Sequence, residues 1–427
     1  ARLPESARDK VVELDLKAAG VADLGRPAPR GYGWGPSPAV ELFCNGRPMQ
    51  LARWPNEGFL TVGKVLHPGK TAEKPGAVFQ YEGDRPARWQ QARDAWVYGY
   101  WYWHWADSSL GVASIDAQKR EVTTAQVPGY GIREGQPYYF FNLLEEIDQP
   151  GEWYLDRATG MLYWYPPTDP SKSLSHDVAQ PPSAVRISPA QPGAAVPQVV
   201  EMSMLNEPMA RLEGVSHVVF ERLEFALGRS DGVVVRGGDR CLLAGCVVKQ
   251  LGGTAATLDG GTNHGVLACD LHTLGRGGTV VRGGDRKTLT PGGHFVENCH
   301  VHDFSRIDRT YTPAVLLDGV AGRIAHNLFH HSPCHAMRVE GNDHVIEFNE
   351  IHHVVTESDD QGGLDMFFNP SYRGNVLRYN FWHDIGSPQS LGQAGIRLDD
   401  AISGTLLYGN VFYRCSGANF GGVQIHG

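Results

Sequence analysis

From about residue 200 onward the chain repeats one short pattern of apolar and polar positions. It reads hydrophobic, any, hydrophobic, any, Cys or Asn, any, hydrophobic, and in most copies His. The fifth position falls on Cys246, Cys269, Cys299, Asn327, Asn349, Asn380 and Asn410, with a weaker copy at Leu223. Two residues further stand Phe225, Val248, Leu271, Val301, Phe329, Ile351, Trp382 and Phe412. The copies are separated by 23, 23, 30, 28, 22, 31 and 30 residues. Alternation with period two marks strands. A unit repeating at this spacing cannot bury its apolar face unless its neighbours stack on it. The pattern predicts an all-β right-handed parallel β-helix over residues 199–427, with two or three short strands in each coil.

A second strand recurs in the same coils, as "VVVRGG", "AATLDGG", "TVVRGGD", "AVLLDG", "AMRVEG", "GLDMFFN", "GIRLDD" and "GVQIHG". Val235, Leu258, Val281, Leu317, Val339, Met366, Leu398 and Ile425 are expected to face the core. The alternate positions then face solvent in two rows. One holds Asp318, Glu340, Asp399 and His426, and the next holds Arg338, Asp365, Arg397 and Gln424. Stacked strands lie about 4.8 Å apart, so these charges crowd onto one wall. Solvated sheet faces often carry mixed charge without purpose. Acid beside arginine on the last four coils alone is what singles this wall out.

Residues 1–198 have another texture. Alternating runs such as "VVELDLKAAG" and "AVELFCNGRPMQLARWPNEGF" are separated by Asn-Gly and Pro-Asn turn signals. The segment "DAWVYGYWYWHWADSS" packs seven aromatic and imidazole rings into eight positions, and "EWYLDRATGMLYWYPP" reads as two strands around a turn. A compact β-rich accessory domain is expected, its aromatic cluster serving as core before it serves any sugar. The proline-rich stretch 179–197 marks the boundary before the coils.

At 427 residues the chain is long enough for two such domains. A net charge of -9 argues against a nucleic-acid partner, which selects a basic footprint. No apolar run is long enough to span a membrane, and no signal peptide is visible. Seven cysteines, an odd number, do not make a disulfide framework. Cys246, Cys269 and Cys299 read as buried thiols at one ladder position. No CxxC or His/Cys spacing suggests zinc, and no metal or other cofactor is expected. The abrupt start at Ala1 suggests a processed or trimmed chain, and the end on "VQIHG" suggests further coils after Gly427.

Cleaving a glycosidic bond takes two carboxyl groups, one protonated as acid and one ionised as base or nucleophile. Crowded carboxylates keep one of their number protonated, and the coils supply the crowd. Asp360 enters one strand, while Asp399 and Asp400 leave the next; Asp360 with Asp400 is the expected working pair. Asp399 stands close behind, with Asp365 in reserve. Arg397 and Arg338 are candidates to hold substrate hydroxyls or a carboxylate through two hydrogen bonds. Glu340 and Asp318 share their wall, and Arg309, with Arg306 and Tyr311, occupies a loop that is a candidate groove rim and equally a solvated loop. His331 and His335 lie off the periodic histidine row, where either could shuttle a proton. The row itself, His272, His302, His330, His352 and His383, reads as a stack of neighbours rather than five ligands. A shallow cleft with room for water favours inversion.

The segments "LARWPN", "LLEEIDQPGEWYLDRATGMLYWYPP", "GGDRKTLTPGG", "RGNVLRYNFWHDIG" and "IRLDDAISG" together resemble bacterial β-helix enzymes grouped around glycoside hydrolase family 141. The likeness covers nearly the whole chain. It implies α-L-fucosidase or xylanase type activity on complex plant-type or microbial polysaccharides, without a cofactor, by a secreted or periplasmic protein. Asp360 matches the first aspartate of the family's "DSGAIYTGRDW" segment, and Asp399 and Asp400 match its "YLDD" pair. Here "DQGGLDMFFNPSY" replaces the former, and Arg397 stands where the tyrosine would be. Two other readings remain open. A polysaccharide lyase on the same fold would need Lys or Arg as base, often with calcium, and no lysine follows Lys287. A non-catalytic carbohydrate-binding solenoid would use the exposed wall alone.

Overall fold

The computed structural model describes residues 2–69, 76–167, 199–387, 392–415 and 420–426. The proline-rich stretch 179–197 lies outside the described residues. The described chain contains no α-helix and forms two compact units, Ala1–Met204 and Leu205–Gly427.

The first unit is built of antiparallel hairpins. Glu152–Asp156 and Met161–Trp164 pair around the Asp-Arg-Ala-Thr-Gly turn and are joined by Val12–Asp15 and Gln50–Leu51. A larger sheet is centred on Trp96–Tyr100, which pairs with both Asp107–Asp116 and Pro137–Phe141. The aromatic segment divides between two duties. Tyr98, Tyr100 and Trp101 are buried in this unit's core, as expected, but Trp103 is 40% exposed and Tyr102 and Trp105 are half-buried.

The second unit is a parallel β-helix of three sheets. The first sheet stacks Ala210–Glu213, Val233–Arg236, Ala256–Asp259, Thr279–Asp285, Val315–Val320, Met337–Asn342, Gln361–Phe367, Gln393–Asp399 and Val423–Ile425. The second sheet runs from Val219–Glu221 to Leu406–Tyr408, and the third from Glu224–Gly228 to Val411–Tyr413. Each coil contributes one strand to each sheet. Between the second and third sheets the chain turns on a single residue in the left-handed region. That residue is Ala268 (φ 52°), Asn298 (53°), His326 (58°), Phe348 (54°) and Tyr379 (56°) in successive coils, and glycine at 245 and 409. The residue after it is the Cys or Asn of the sequence ladder, pointing into the corner.

There the asparagines form a chain of side-chain bonds along the helix axis. Asn327 Nδ2 donates to Asn349 Oδ1 (2.9 Å), Asn349 Nδ2 to Asn380 Oδ1 (2.9 Å), and Asn380 Nδ2 to Asn410 Oδ1 (3.0 Å). Each Oδ1 also accepts the backbone N–H of the preceding coil's ladder residue, as with Asn327 and Asn349. Cys246, Cys269 and Cys299 fill the same position as free, buried thiols. The core positions read from period two are buried, Trp382 among them. On the outer coils Phe225 and Phe412 are partly buried, and Ile425 is 74% exposed because its strand is the outermost of the first sheet and has a neighbour on one side only.

Replacing Asn349 by Ala removes the acceptor of both Asn327 N and Asn327 Nδ2 and strands the donors in a dry corner. We expect a loss of about 3 kcal/mol, against no more than about 1 kcal/mol for Cys269→Ala, both measured by chemical denaturation. Equal effects would mean that the ladder only fills space.

Candidate active site on the last coils

The carboxylates singled out in the sequence do meet, and an arginine joins them. Register pairs Asp365 of strand Gln361–Phe367 with Arg397 of strand Gln393–Asp399, and Arg397 with Gln424 of Val423–Ile425. From this central position the Arg397 guanidinium reaches Asp360 Oδ1 through Nη2 (2.7 Å) and Asp399 Oδ2 through Nη1 (2.9 Å). Its Nε donates to Gln424 Oε1 (2.8 Å), and the Phe420 ring lies 5.6 Å from its Cζ. His426 then ties the second acid to the third, with Nδ1 3.0 Å from Asp399 Oδ1 and 3.1 Å from Asp400 Oδ1. Asp360, Asp399 and Asp400 thus lie on one flank of the solenoid. Asp360 (φ 56°) and Asp400 (φ 42°) both stand in left-handed backbone, which Asp tolerates better than most residues. Asp399, Asp400 and His426 also have the spacing of a possible cation site.

The expected solvent exposure of these rows is corrected by the structure. Asp365, Asp399 and Arg397 are 3%, 6% and 7% exposed. Loops fold back over this end of the sheet. Asp360, in the segment before its strand, lies on Arg397, and the Phe420 ring faces the same guanidinium. Tyr311, from the loop after Ser305, packs on His335 and Arg338. Burial in turn sets the charges. It pushes the Asp365 carboxyl up to about 7, against the pull of Arg397 and Arg338. Asp360 is raised for the same reason and by its neighbours Asp399 and Asp359, with Arg397 opposing.

His335 lies beneath, fully buried, with Nδ1 3.2 Å from Gln361 Oε1 and 3.4 Å from Asp365 Oδ2. Burial and the nearby Arg338 hold its imidazole neutral, down to about 3. His331 is elsewhere: it packs on His330 and His353 on the third sheet, not among the acids. Asp318 and Glu340 adjoin each other in register on the same sheet as the acids but on earlier coils. Arg338 is committed to Glu340 (2.9 Å) and Arg309 to Glu357 (2.6 Å).

Sequence reading missed Gln361 and Gln393, which occupy the same register position on neighbouring strands. Gln361 Oε1 accepts from Ser358 Oγ (2.8 Å), and Gln393 Nε2 donates to the carbonyls of Val355 and Ser358. Together they fix the segment that carries Asp360. Asp359 adds a clamp, its Oδ1 accepting from Gly392 N (2.7 Å) and Asp360 N (2.9 Å). A glutamine two or three residues ahead of the apolar run in both "DDQGGLDM" and "LGQAGIRL" was the signal.

Among solved structures the chain is similar to a glycoside hydrolase with a TM-score of 0.58 at 12% sequence identity, over 95% of this chain and 80% of that one. The fold is shared. A siphovirus 9NA tailspike receptor binding domain matches about half of each chain (49% and 52%) at 12% identity, with a TM-score of 0.23 too low to carry weight. No protein-family model and no curated protein matches the chain.

Asp365 supplies a test of the site's electrostatics. A carboxyl raised in the folded state binds its proton more tightly there than in the unfolded chain. Stability is therefore lost as pH rises from about 4 to about 7. Asp365→Asn should gain on the parent by about 3 kcal/mol more at pH 8 than at pH 5. Urea denaturation at both pH values measures it, and a difference that does not change with pH would refute a strained carboxyl.

Proposed function

We propose that this chain is a glycoside hydrolase acting on complex plant-type or microbial polysaccharides through paired carboxyl groups. The supporting observation is the Arg397 guanidinium bound at once to Asp360 and Asp399, with His426 linking Asp399 to Asp400. That arrangement gathers three carboxyl groups of unlike environment on one face, which is what acid and base catalysis at one bond requires. The shared fold is consistent with this reading, and the motif resemblance to glycoside hydrolase family 141 points the same way.

In this mechanism Asp360 is the general acid. It is raised by burial yet remains 45% exposed at its side chain, so its proton can reach a glycosidic oxygen. Asp400, 42% exposed, takes a proton from the attacking water. Asp399 is held from both sides by Arg397 and His426 and positions the other two. Asp365 and neutral His335 form the floor. Their buried positions suit them to set the orientation of Arg397 rather than to touch substrate. Arg338, Glu340, Asp318 and Arg309 extend the wall along earlier coils, where successive sugar hydroxyls would find alternating donors and acceptors. A water placed between acid and base would invert the anomeric centre. The N-terminal β-rich unit would be an accessory domain of a secreted or periplasmic enzyme.

Reducing-sugar release from xylan, pectin and fucosylated glycans tests the reading. On whichever substrate is cut, Asp360→Asn and Asp400→Asn should each lower kcat by roughly 100-fold or more, while Asp318→Asn changes it less than tenfold. Products should not absorb in the ultraviolet as unsaturated uronates do. Parent-like rates in both Asp360→Asn and Asp400→Asn would remove the proposed pair, and sugar binding without any cleavage would favour a binding solenoid.

A further inference from the structure

Away from the acids, the outward face of the third sheet carries eight of the chain's 18 histidines. His272, His302, His330, His352 and His383 occupy one register row, their ring centroids 4.9, 5.1, 4.7 and 4.8 Å apart from coil to coil. His300 stands in the adjacent row, and His331 and His353 flank the wall. Stacking alone accounts for a row of parallel rings. It does not account for what happens where His300, His302 and His330 converge.

There the ligating nitrogens of three imidazoles lie within 4.8 Å of one another. His300 Nε2 faces His330 Nε2 at 2.7 Å. His300 and His302 are stacked at 4.2 Å. Asp270, in register with His300 on the preceding coil, lies beside this cluster and faces the other nitrogen of His300. Its Oδ1 lies 3.4 Å from His302 Nε2 and 3.6 Å from His300 Nδ1 and is shielded from solvent. On the other edge of the ring, His302 Nδ1 is held by Asp303 Oδ2 at 2.7 Å. A carboxylate on one nitrogen of a histidine fixes the ring and aims the other nitrogen, as it does behind metal-bound histidines.

We propose that His300, His302 and His330 bind one divalent transition-metal ion of the zinc, nickel or cobalt class, with Asp270 beside them. Three imidazoles with a fourth position left for water are a donor set that such ions select, in preference to the all-oxygen shells of calcium or magnesium. Two nitrogens on one tetrahedral ion at ~2.1 Å sit about 3.4 Å apart, so small rotations of partly exposed side chains complete the shell. His300 and Asp270 are 40% and 42% exposed at their side chains, which gives the ion a path from solvent. The three imidazoles come from two successive coils, so the ion would staple them together. This site shares no residue with the acid cluster and stands or falls apart from it.

The test is calorimetric titration of zinc into the chelator-treated full chain, with cobalt absorption reporting coordination geometry. One ion per chain with a dissociation constant of about 10 μM or tighter is expected. His302→Asn and His330→Asn should each weaken binding at least tenfold, while His426→Asn and His383→Asn leave it unchanged. Zinc should also raise the melting temperature of the parent but not of the double variant that combines His302→Asn with His330→Asn. Circular dichroism confirms that the variants, altered on an outer face, remain folded. Absence of binding in the micromolar range, survival of binding in the double variant, or its loss in His426→Asn would each overturn the proposal.

Discussion

Register is the constraint on which this structure depends. Every functional feature requires that a given residue of one coil lie beside a given residue of the next, and a slip of one position would turn each side chain to the opposite face. The corner between the second and third sheets fixes that register. A left-handed residue turns the chain, and the following Asn bonds both the backbone and the side chain of its neighbours. Because each Asn is at once donor and acceptor, the chain of bonds continues through any number of coils. The loops that leave the coils can then differ in length without disturbing the stack. Coil steps from 22 to 31 residues coexist with strands that pair in unbroken order.

The β-helix was legible because its signal is periodic and local. Ladder residues, inward positions and the two outward rows all follow from counting, and the pairing of Asp365 with Arg397 obeys the count. The meeting of Asp360 with Asp399 was legible in part, since strand ends on adjacent coils are brought together by winding. What counting cannot supply is the third dimension of loops. Nothing in the spacing of Tyr311 or Phe420 says that they fold over the wall, so the burial of Asp365, Arg397 and Asp399 escaped notice. His331 and His335 are four residues apart, yet one joins a surface stack and the other a buried floor. The turn between them, around Cys334, has no period to read.

The aromatic segment of the first unit shows the same division. All five residues of Trp96–Tyr100 are buried, its three rings included. The strand ends at Tyr100; Trp101 still turns inward, and Trp103 emerges. Composition alone treats all of these rings alike.

The imidazoles give the molecule an acid limit. Burial depresses His272, His294, His344 and His352 to about 4 and His330 and His335 to about 3, below the ordinary value of 6.5. An unfolded chain takes up these protons as pH falls through 6.5, whereas the folded one refuses them until near 3 or 4. Acidification over that interval therefore favours unfolding, while the Asp365 carboxyl penalises the alkaline side up to about 7. His302, raised to about 9 against its burial by Asp270 and Asp303, loses stability as pH rises from 6.5 to about 9, and with the six depressed imidazoles it confines the folded state to a band around neutrality. A protein wound from histidine-faced coils is thereby suited to surroundings that are not strongly acidic.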